Sequence, residues 1–168
     1  MKLWQKDTST NEKIDHFTVG NDRTYDLALA PYDCIASKAH AKMLGEIGML
    51  TSKEVKDLTD ALEGILKSTQ KGDFVIEKEF EDMHSKIEYL LNQKLGDLGK
   101  KIHTARSRND QVLVALQLYI KEELSQIKKE VVKLFDLLLK LAETHQKDLL
   151  PGYTHMQVAM PSSFGLWF

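Results

Sequence analysis

The longest helical pattern in the chain runs from Asn109 to Leu150, a stretch without proline or glycine. Its apolar residues recur at helical spacing: Val112, Leu116, Tyr119, Ile120, Leu124, Ile127, Val131, Leu134, Phe135, Leu138 and Leu141. A helix of about 40 residues is roughly 60 Å long. This length is typical of a coiled coil or a long helical bundle. The wide apolar stripe favours a multi-helix bundle completed by other subunits.

The residues before this pattern predict a smaller helical region. One helix is expected over about Tyr25–Ile47, ending near Gly48, with Pro31 starting a turn or kinking it. Thr51–Glu54 has the sequence of a capping box, and the helix that it opens should stop at Gly72. A further helix is expected over about Phe80–Leu95, followed by a connection over 96–104.

The last part of the chain is predicted to be a loop over Pro151–Pro161, with Pro161 in the first turn of a new helix. The sequence ends on the apolar run Phe164–Phe168. Natural C-termini rarely end in this way, so we expect a fragment whose next helices would bury this run. The predicted fold class is all-α, with an N-terminal helical domain over residues 1–105 and the start of a bundle domain over residues 106–168.

The composition excludes several classes of protein. Hydrophobic residues make up 42% and charged residues 29%, as in soluble globular proteins, and the net charge is -2. The interspersed charges give no electrostatic signature of binding to nucleic acid or to a membrane. Cys34 is the single cysteine, and no signal peptide or long apolar run is visible, so a cytoplasmic location is expected. We expect Cys34 to be a small buried residue on a helix.

The run His103–Gln111, HTARSRNDQ, carries the first candidate site. Only three of the 23 basic residues are arginines, and two of them, Arg106 and Arg108, lie in this run. The planar fork of arginine suits carboxylate or phosphate. A helix N-terminus adds unpaired amides and a partial positive charge, so the run predicts a site for a small anion.

Ser107 and Asn109 in the same run are common helix-capping residues that could also donate hydrogen bonds to a carboxylate. A purely structural alternative remains open. In that alternative Asp110 and nearby acids pair with the arginines, and Asn109 only caps the helix.

The segment Gly152–Gln157, GYTHMQ, carries a second candidate site. His155 could act as a general acid or base, and Thr154 and Gln157 could fix a substrate carboxylate. A loop histidine can equally be structural or solvated. The segment follows the far end of the long helix, some 60 Å from HTARSRNDQ. If both serve one site, another subunit must bring them together.

Glu81–His84, EDMH, is a third candidate. Asp82 and His84 could support a site or form an acid pair, or they could belong to a solvated face. No metal is predicted, because the chain has no His-x-x-x-His pattern and no pair of cysteines. No cofactor is predicted either, because there is no glycine-rich phosphate loop.

These three segments resemble one family. HTARSRNDQV resembles the HTGRSRNDQV signature of argininosuccinate lyases, PGYTHMQVAMP resembles their PGYTHLQ-x-AQP loop, and EDMH resembles their EDIH segment. Weaker similarity at Leu3–Trp4 and Asp33–Leu44 extends the resemblance over nearly the whole chain. Other members of the fumarase/aspartase superfamily share a Thr-His loop but lack the Arg-Ser-Arg-Asn-Asp run.

The resemblance implies a small helical N-terminal domain and then the first long helix of the superfamily's bundle, which assembles as a homotetramer with active sites built from several subunits. It implies cleavage of argininosuccinate to arginine and fumarate in arginine biosynthesis, without a cofactor. His155 matches the catalytic histidine. The candidate substrate-binding residues are Asn109, Thr154, Ser107, Arg108, Gln157 and Asp82.

The sequence departs from the family pattern at several positions. Ala105 replaces a glycine, Met156 a leucine and Met160 a glutamine. Around Phe17–Asn21, where many members place a substrate-binding serine, the chain has Thr18, Gly20 and Asn21.

The family's Gly-Ser-Ser loop, which carries the second catalytic group, is not among the 168 residues. The isolated chain is therefore predicted to be inactive. The alternatives are another fumarate-releasing lyase of the superfamily and a non-catalytic, crystallin-like helical protein.

Overall fold

The computed structural model of the protein describes residues 11–168, so the similarity at Leu3–Trp4 lies outside the described residues. Helices dominate this part of the chain, and the predicted all-α class is confirmed. The elements in chain order are α1 (Glu12–Val19), α2 (Asp22–Glu46), α3 (Ser52–Lys71), α4 (Met83–Leu95), α5 (Asp97–Lys100), a 3₁₀ turn (Lys101–His103), α6 (Arg108–Thr144), β1 (Leu149–Thr154), β2 (Gln157–Ser163) and α7 (Phe164–Trp167).

The chain forms two compact units, one ending at Ile120 and the other running over Lys121–Phe168. In the first unit, α2 continues through Pro31, and Gly48, with φ of 78°, follows its end. The predicted end of this helix is confirmed, although α2 begins three residues before Tyr25.

The predicted capping box of α3 is confirmed. The amide of Thr51 donates to the Glu54 carboxylate at 2.8 Å, and the amide of Glu54 donates to the Thr51 hydroxyl at 3.3 Å. The helix stops at Gly72, whose φ of 78° is left-handed, as predicted.

Two boundaries near α4 differ from the prediction. The helix begins at Met83 rather than Phe80, because the Asp82 carboxylate caps it by accepting the amide of Ser85 at 2.8 Å. The predicted connection over 96–104 contains α5 and the 3₁₀ turn, which buries Ile102. Gly96, with φ of 60°, lies between α4 and this short helix and caps both.

The apolar core of the first unit lies between α2, α3 and α4 and extends to the start of α6. Cys34 is fully buried in it, which confirms the expectation for this residue. The largest core side chains are Leu44, Leu58, Leu62, Phe80, Met83, Leu91 and Ile102. Burial of each such side chain contributes about 1.5–3 kcal/mol. The core therefore holds α2, α3 and α4 together, and Ala115 near the start of α6 packs into it.

The predicted long helix is confirmed as α6, which has 37 residues and is therefore about 55 Å long. Its predicted end at Leu150 is wrong, because the helix stops at Thr144 and the chain is extended from Leu149. Only Gln111 and Ala115 of α6 are buried. Between Leu124 and Leu139, α6 has a series of exposed large apolar side chains. Each of them is 49–60% exposed. No helix within residues 11–168 is long and apolar enough to cross a membrane.

The predicted loop over Pro151–Pro161 is wrong. These residues form an antiparallel hairpin of β1 and β2, in which Pro151 pairs with Pro161. Both strands of a two-stranded sheet are edge strands, so proline is tolerated in each of them. Pro161 therefore does not start a helix. Instead, α7 begins at Phe164 and is capped by Ser163.

Candidate functional site

The head of α6 is closed by a reciprocal cap. The Ser107 hydroxyl accepts the amide of Asp110 at 3.3 Å, and the Asp110 carboxylate accepts the amide and the hydroxyl of Ser107 at 2.8 and 3.1 Å. These hydrogen bonds lower the pKa of Asp110. The interpretation in which Asn109 caps the helix is wrong, because Ser107 occupies the capping position and Asn109 is the exposed second residue of the helix. Asp110 thus places a carboxylate on the Ser107 amide at the head of the helix.

The two arginines of HTARSRNDQ turn toward neighbouring helices. Arg106 donates from Nη2 to the Ser37 hydroxyl at 3.0 Å. Burial lowers the pKa of Arg106, and the charge of Asp33 is the main influence that opposes this shift. Arg106 is therefore held from α2 rather than displayed to solvent.

Arg108 is tied to the beginning of α4. Its Nη2 donates to the Ser85 hydroxyl at 3.2 Å, and its Nη1 lies 3.4 Å from Oδ1 of Asp82. The latter contact is an ion pair without the alignment of a regular hydrogen bond. The structural alternative, in which nearby acids pair with the arginines, is present for Arg108. The same contact brings together two predicted site residues, Asp82 and Arg108, from segments 26 positions apart.

His84 is not part of a solvated face, so that alternative is wrong for this residue. Its side chain is 1% exposed, and its Nδ1 lies 3.2 Å from Oδ1 of Asp33 in α2. Asp82, two residues earlier, retains 23% of its side-chain surface. The EDMH segment therefore combines a partly accessible acid at a helix cap with a buried histidine.

A cleft of about 250 Å³ lies beside the EDMH segment. Its walls carry Thr18, the buried His84 and four carboxylates, those of Asp22, Asp26, Glu81 and Asp82. The Thr18 hydroxyl donates to the Ile14 carbonyl within α1. Gly20 and Asn21, the other residues of the predicted serine region, form the turn between α1 and α2.

Asp26 was not singled out in the sequence. Burial is the main cause that raises the pKa of this carboxyl, and the amide of Met83 donates to it at 3.0 Å. Asp26 and Asp33 are seven residues apart, two helical turns, so both could have been placed on one face of α2. Their partners on α4 lie more than 50 residues further along the chain and left no local signal.

Thr154, His155 and Gln157 come together at the tip of the β1–β2 hairpin. Thr154 pairs with Gln157, and the two residues between them, His155 and Met156, have φ of 50° and 62°. These values are typical of the two-residue hairpin turn that favours Asn-Gly. A non-glycine residue in the left-handed region costs roughly 1–2 kcal/mol. Such strain is often retained at functional sites.

The same turn orients the ring of His155. The Thr154 hydroxyl lies 2.8 Å from Nδ1 of His155, and both residues are exposed. Because Nδ1 is engaged locally, Nε2 is the ring nitrogen placed to exchange a proton with a ligand. Strand β1, which leads into this turn, requires glycine at position 152. A Cβ added there would lie 2.8 Å from the carbonyl oxygen of Met160 in β2.

Within residues 11–168, no group of three or more His, Cys, Asp or Glu side chains is arranged to hold a metal ion. The exposed His155 can transfer protons, and arginine, serine, threonine and amide groups can donate hydrogen bonds to anions.

A mainly helical chain with a 37-residue helix, an arginine-rich helix head and an exposed Thr-His turn is consistent with a helical lyase. The lyase family matches residues 3–168, so the chain belongs to this family. The chain is 54% identical over 167 residues to the argininosuccinate lyase of Phocaeicola vulgatus and 49% identical over 167 residues to that of Bacteroides fragilis. It is 46% identical over 166 residues to the argininosuccinate lyase of Thermotoga neapolitana. The resemblance inferred from the motifs is confirmed.

Each of these three matches covers 99% of this chain. The chain spans only 37% of the length of the first two relatives and 42% of the third.

Proposed function

We propose that this chain supplies part of the active site of an argininosuccinate lyase, which cleaves argininosuccinate to arginine and fumarate. The observation that carries the proposal is the hairpin tip, where a strained turn holds His155 against Thr154 at 2.8 Å. The family membership and the 54% identity to a named argininosuccinate lyase support it.

The reaction needs groups of the kind found here. Removal of a proton next to a carboxylate builds negative charge on that carboxylate, and the guanidino nitrogen then leaves with a proton. Such an elimination requires an acid/base pair and donors aimed at carboxylates, and it needs no cofactor. His155 is proposed as one member of the acid/base pair.

The substrate-binding roles are proposed for Thr154, Asn109, Ser107 and Arg108, with Gln157 and Asp82 as further candidates. Arg108 is partly exposed and held in place by Asp82 and Ser85, so its guanidinium is preorganised. The hydroxyl of Ser107 is bonded to Asp110, so a substrate would have to displace this contact to use it.

The proposed enzyme acts on a small molecule as a cytoplasmic homotetramer and binds neither nucleic acid nor membrane. The uncovered apolar side chains of α6 between Leu124 and Leu139 support assembly, since a stripe of this extent is normally buried against other helices. The division into domains 1–105 and 106–168 is part of the same proposal, in which the second segment opens the subunit-forming bundle.

A hybrid enzyme tests the function. This chain would replace the matching 167 residues of the Phocaeicola vulgatus lyase, and fumarate release from argininosuccinate would be followed by ultraviolet absorbance. We expect turnover comparable to that of the unaltered relative. A hybrid that folds and assembles like the relative but releases no fumarate would contradict the proposal and favour a non-catalytic role.

The role of His155 is tested in the same hybrid. His155→Ala should lower kcat by about 100-fold or more, because a general acid or base contributes roughly 10²–10⁴-fold. His16→Ala is the matched control, since this histidine is exposed on α1, and it should leave turnover unchanged. A His155→Ala hybrid with near-normal kcat would remove His155 from the mechanism.

A further inference from the structure

Asp33 is a carboxylate buried in the middle of α2, with 1% of its surface exposed. A buried charge is costly unless opposite charges or hydrogen-bond donors compensate it. Ser37, four residues later on the same face of α2, is also 1% exposed. Two polar residues thus occupy core positions of one helix, and neither carboxylate oxygen of Asp33 accepts a regular hydrogen bond.

The partners of these residues belong to two other elements. Nδ1 of His84 in α4 lies 3.2 Å from Oδ1 of Asp33, although the ring is not aligned for a regular hydrogen bond. Arg106, immediately before the cap of α6, donates to the Ser37 hydroxyl at 3.0 Å. Ser37 lies one helical turn after Asp33, so this contact places the Arg106 guanidinium close to the Asp33 carboxylate, without an ion pair shorter than 4 Å between these two described residues. The charge of Asp33 is still the strongest of those that act on the guanidinium.

Arg106 and His84 both lie next to residues of the candidate site. Arg106 directly precedes Ser107, Arg108 and Asn109, which are proposed to bind substrate. His84 is two residues from Asp82, the ion-pair partner of Arg108. A carboxylate that attracts Arg106 and His84 at the same time can therefore restrain both segments that meet in the Asp82–Arg108 contact.

We propose that Asp33 is a positioning residue, whose buried carboxylate contacts His84 and attracts Arg106 and so sets the geometry of the substrate-binding segment Ser107–Asn109. Its effect on turnover rests on the proposed lyase function, whereas its effect on Arg106 does not. His84 faces Asp33 through Nδ1, the ring nitrogen 3.2 Å from Oδ1.

The first experiment uses the 168-residue chain. It contains three arginines, so the Nε–H region of a ¹⁵N spectrum should hold three side-chain signals, each assigned by an Arg→Lys variant. In the unaltered chain, the Nε–H of Arg106 should exchange with water at least tenfold more slowly than that of a freely exposed arginine. Asp33→Asn should shift this signal and speed its exchange at least tenfold. The Arg23 signal should stay in place, since its Nε donates to the Phe80 carbonyl.

Asp60→Asn is the matched control, because it removes an exposed acid from α3 and should move none of the three signals. Rapid exchange of Arg106 in the unaltered chain would overturn the proposal even if Asp33→Asn failed to fold. An Arg106 signal unchanged in a folded Asp33→Asn chain would overturn it as well.

The second experiment uses the hybrid lyase, at a temperature well below the unfolding midpoints of all variants. Asp33→Asn should lower kcat/KM by about 10- to 100-fold, the size expected for misplaced binding groups, while Asp60→Asn should not. If Arg106 loosens but kcat/KM is unchanged, Asp33 has only a structural role and the proposal is wrong. A hybrid inactive without any substitution would count against the lyase function, and the Arg106 signals would still decide whether Asp33 positions the segment.

Discussion

Ala105 is held in the left-handed region with φ of 58°, at the position where the resembling signature has glycine. The side chain is exposed, so its methyl group contributes little burial. Ala105→Gly removes only this methyl group and the conformational strain that it causes. The substitution therefore isolates the cost of the backbone conformation.

The expected change follows from two opposing effects. A non-glycine residue in the left-handed region costs roughly 1–2 kcal/mol. Glycine has more conformational freedom in the unfolded chain, which offsets about 0.4–1 kcal/mol of the gain. Ala105→Gly should therefore stabilise the fold by about 0.5–1 kcal/mol, or raise the unfolding midpoint by roughly 1–4 °C.

Thermal and urea unfolding followed by circular dichroism measure this change. Gly72→Ala is the matched reverse substitution, because Gly72 has φ of 78° and an added Cβ would meet nothing within 4 Å. It should destabilise the fold by about 1 kcal/mol. If Ala105→Gly destabilised the chain, or if both substitutions shifted stability in the same direction, the strain argument would be refuted.

Two further predictions concern titratable groups. Burial raises the pKa of the Cys34 thiol to about 12. A thiol reagent at pH 8 should therefore react with the folded chain at least 100-fold more slowly than with the urea-unfolded chain. Equal reaction rates would contradict the burial of this thiol. Hydrogen bonds from Lys101 and then Thr51 lower the pKa of Glu54 from 4.5 to about 2, so its stabilising contribution is complete above pH 4.5 and is lost as the pH falls toward 2. Glu54→Gln should reduce the acid dependence of stability in that window, and an unchanged pH profile would show that the contact is energetically silent.

The parts of the fold that were predictable from the sequence are those set by local chemistry. The capping box at Thr51 and the glycine stop at Gly72 each act within a few residues, and the structure has both. The predicted start of α4 at Phe80 is three residues too early, because Asp82 was interpreted as a site residue rather than as the helix cap. Its carboxylate nevertheless accepts an amide three residues on, which is a local pattern that could have been recognised.

The hairpin was missed for a different reason. A two-residue turn of its kind normally carries asparagine and glycine, whereas this one carries His155 and Met156. Two prolines in the paired strands also argue against a sheet, except at edges. The sequence analysis assigned Thr154, His155 and Gln157 to one candidate site, and the three residues do lie together at the hairpin tip. The turn that brings them together depends on a left-handed backbone conformation that His155 and Met156 disfavour.

The head of α6 shows how two arginines can lie at the positive end of a helix. Asp82 forms an ion pair with Arg108, the charge of Asp33 is the strongest of those that act on Arg106, and the Asp110 carboxylate accepts the Ser107 amide at the cap. Acidic side chains of the protein thus offset the unfavourable charge. Under the proposed function, a carboxylate arriving at Arg108 exchanges one acidic partner for another, which yields little net free energy for a simple anion. Selectivity for the substrate must then come from its additional contacts with the protein. Contacts to a correctly oriented Ser107–Asn109 segment are among them.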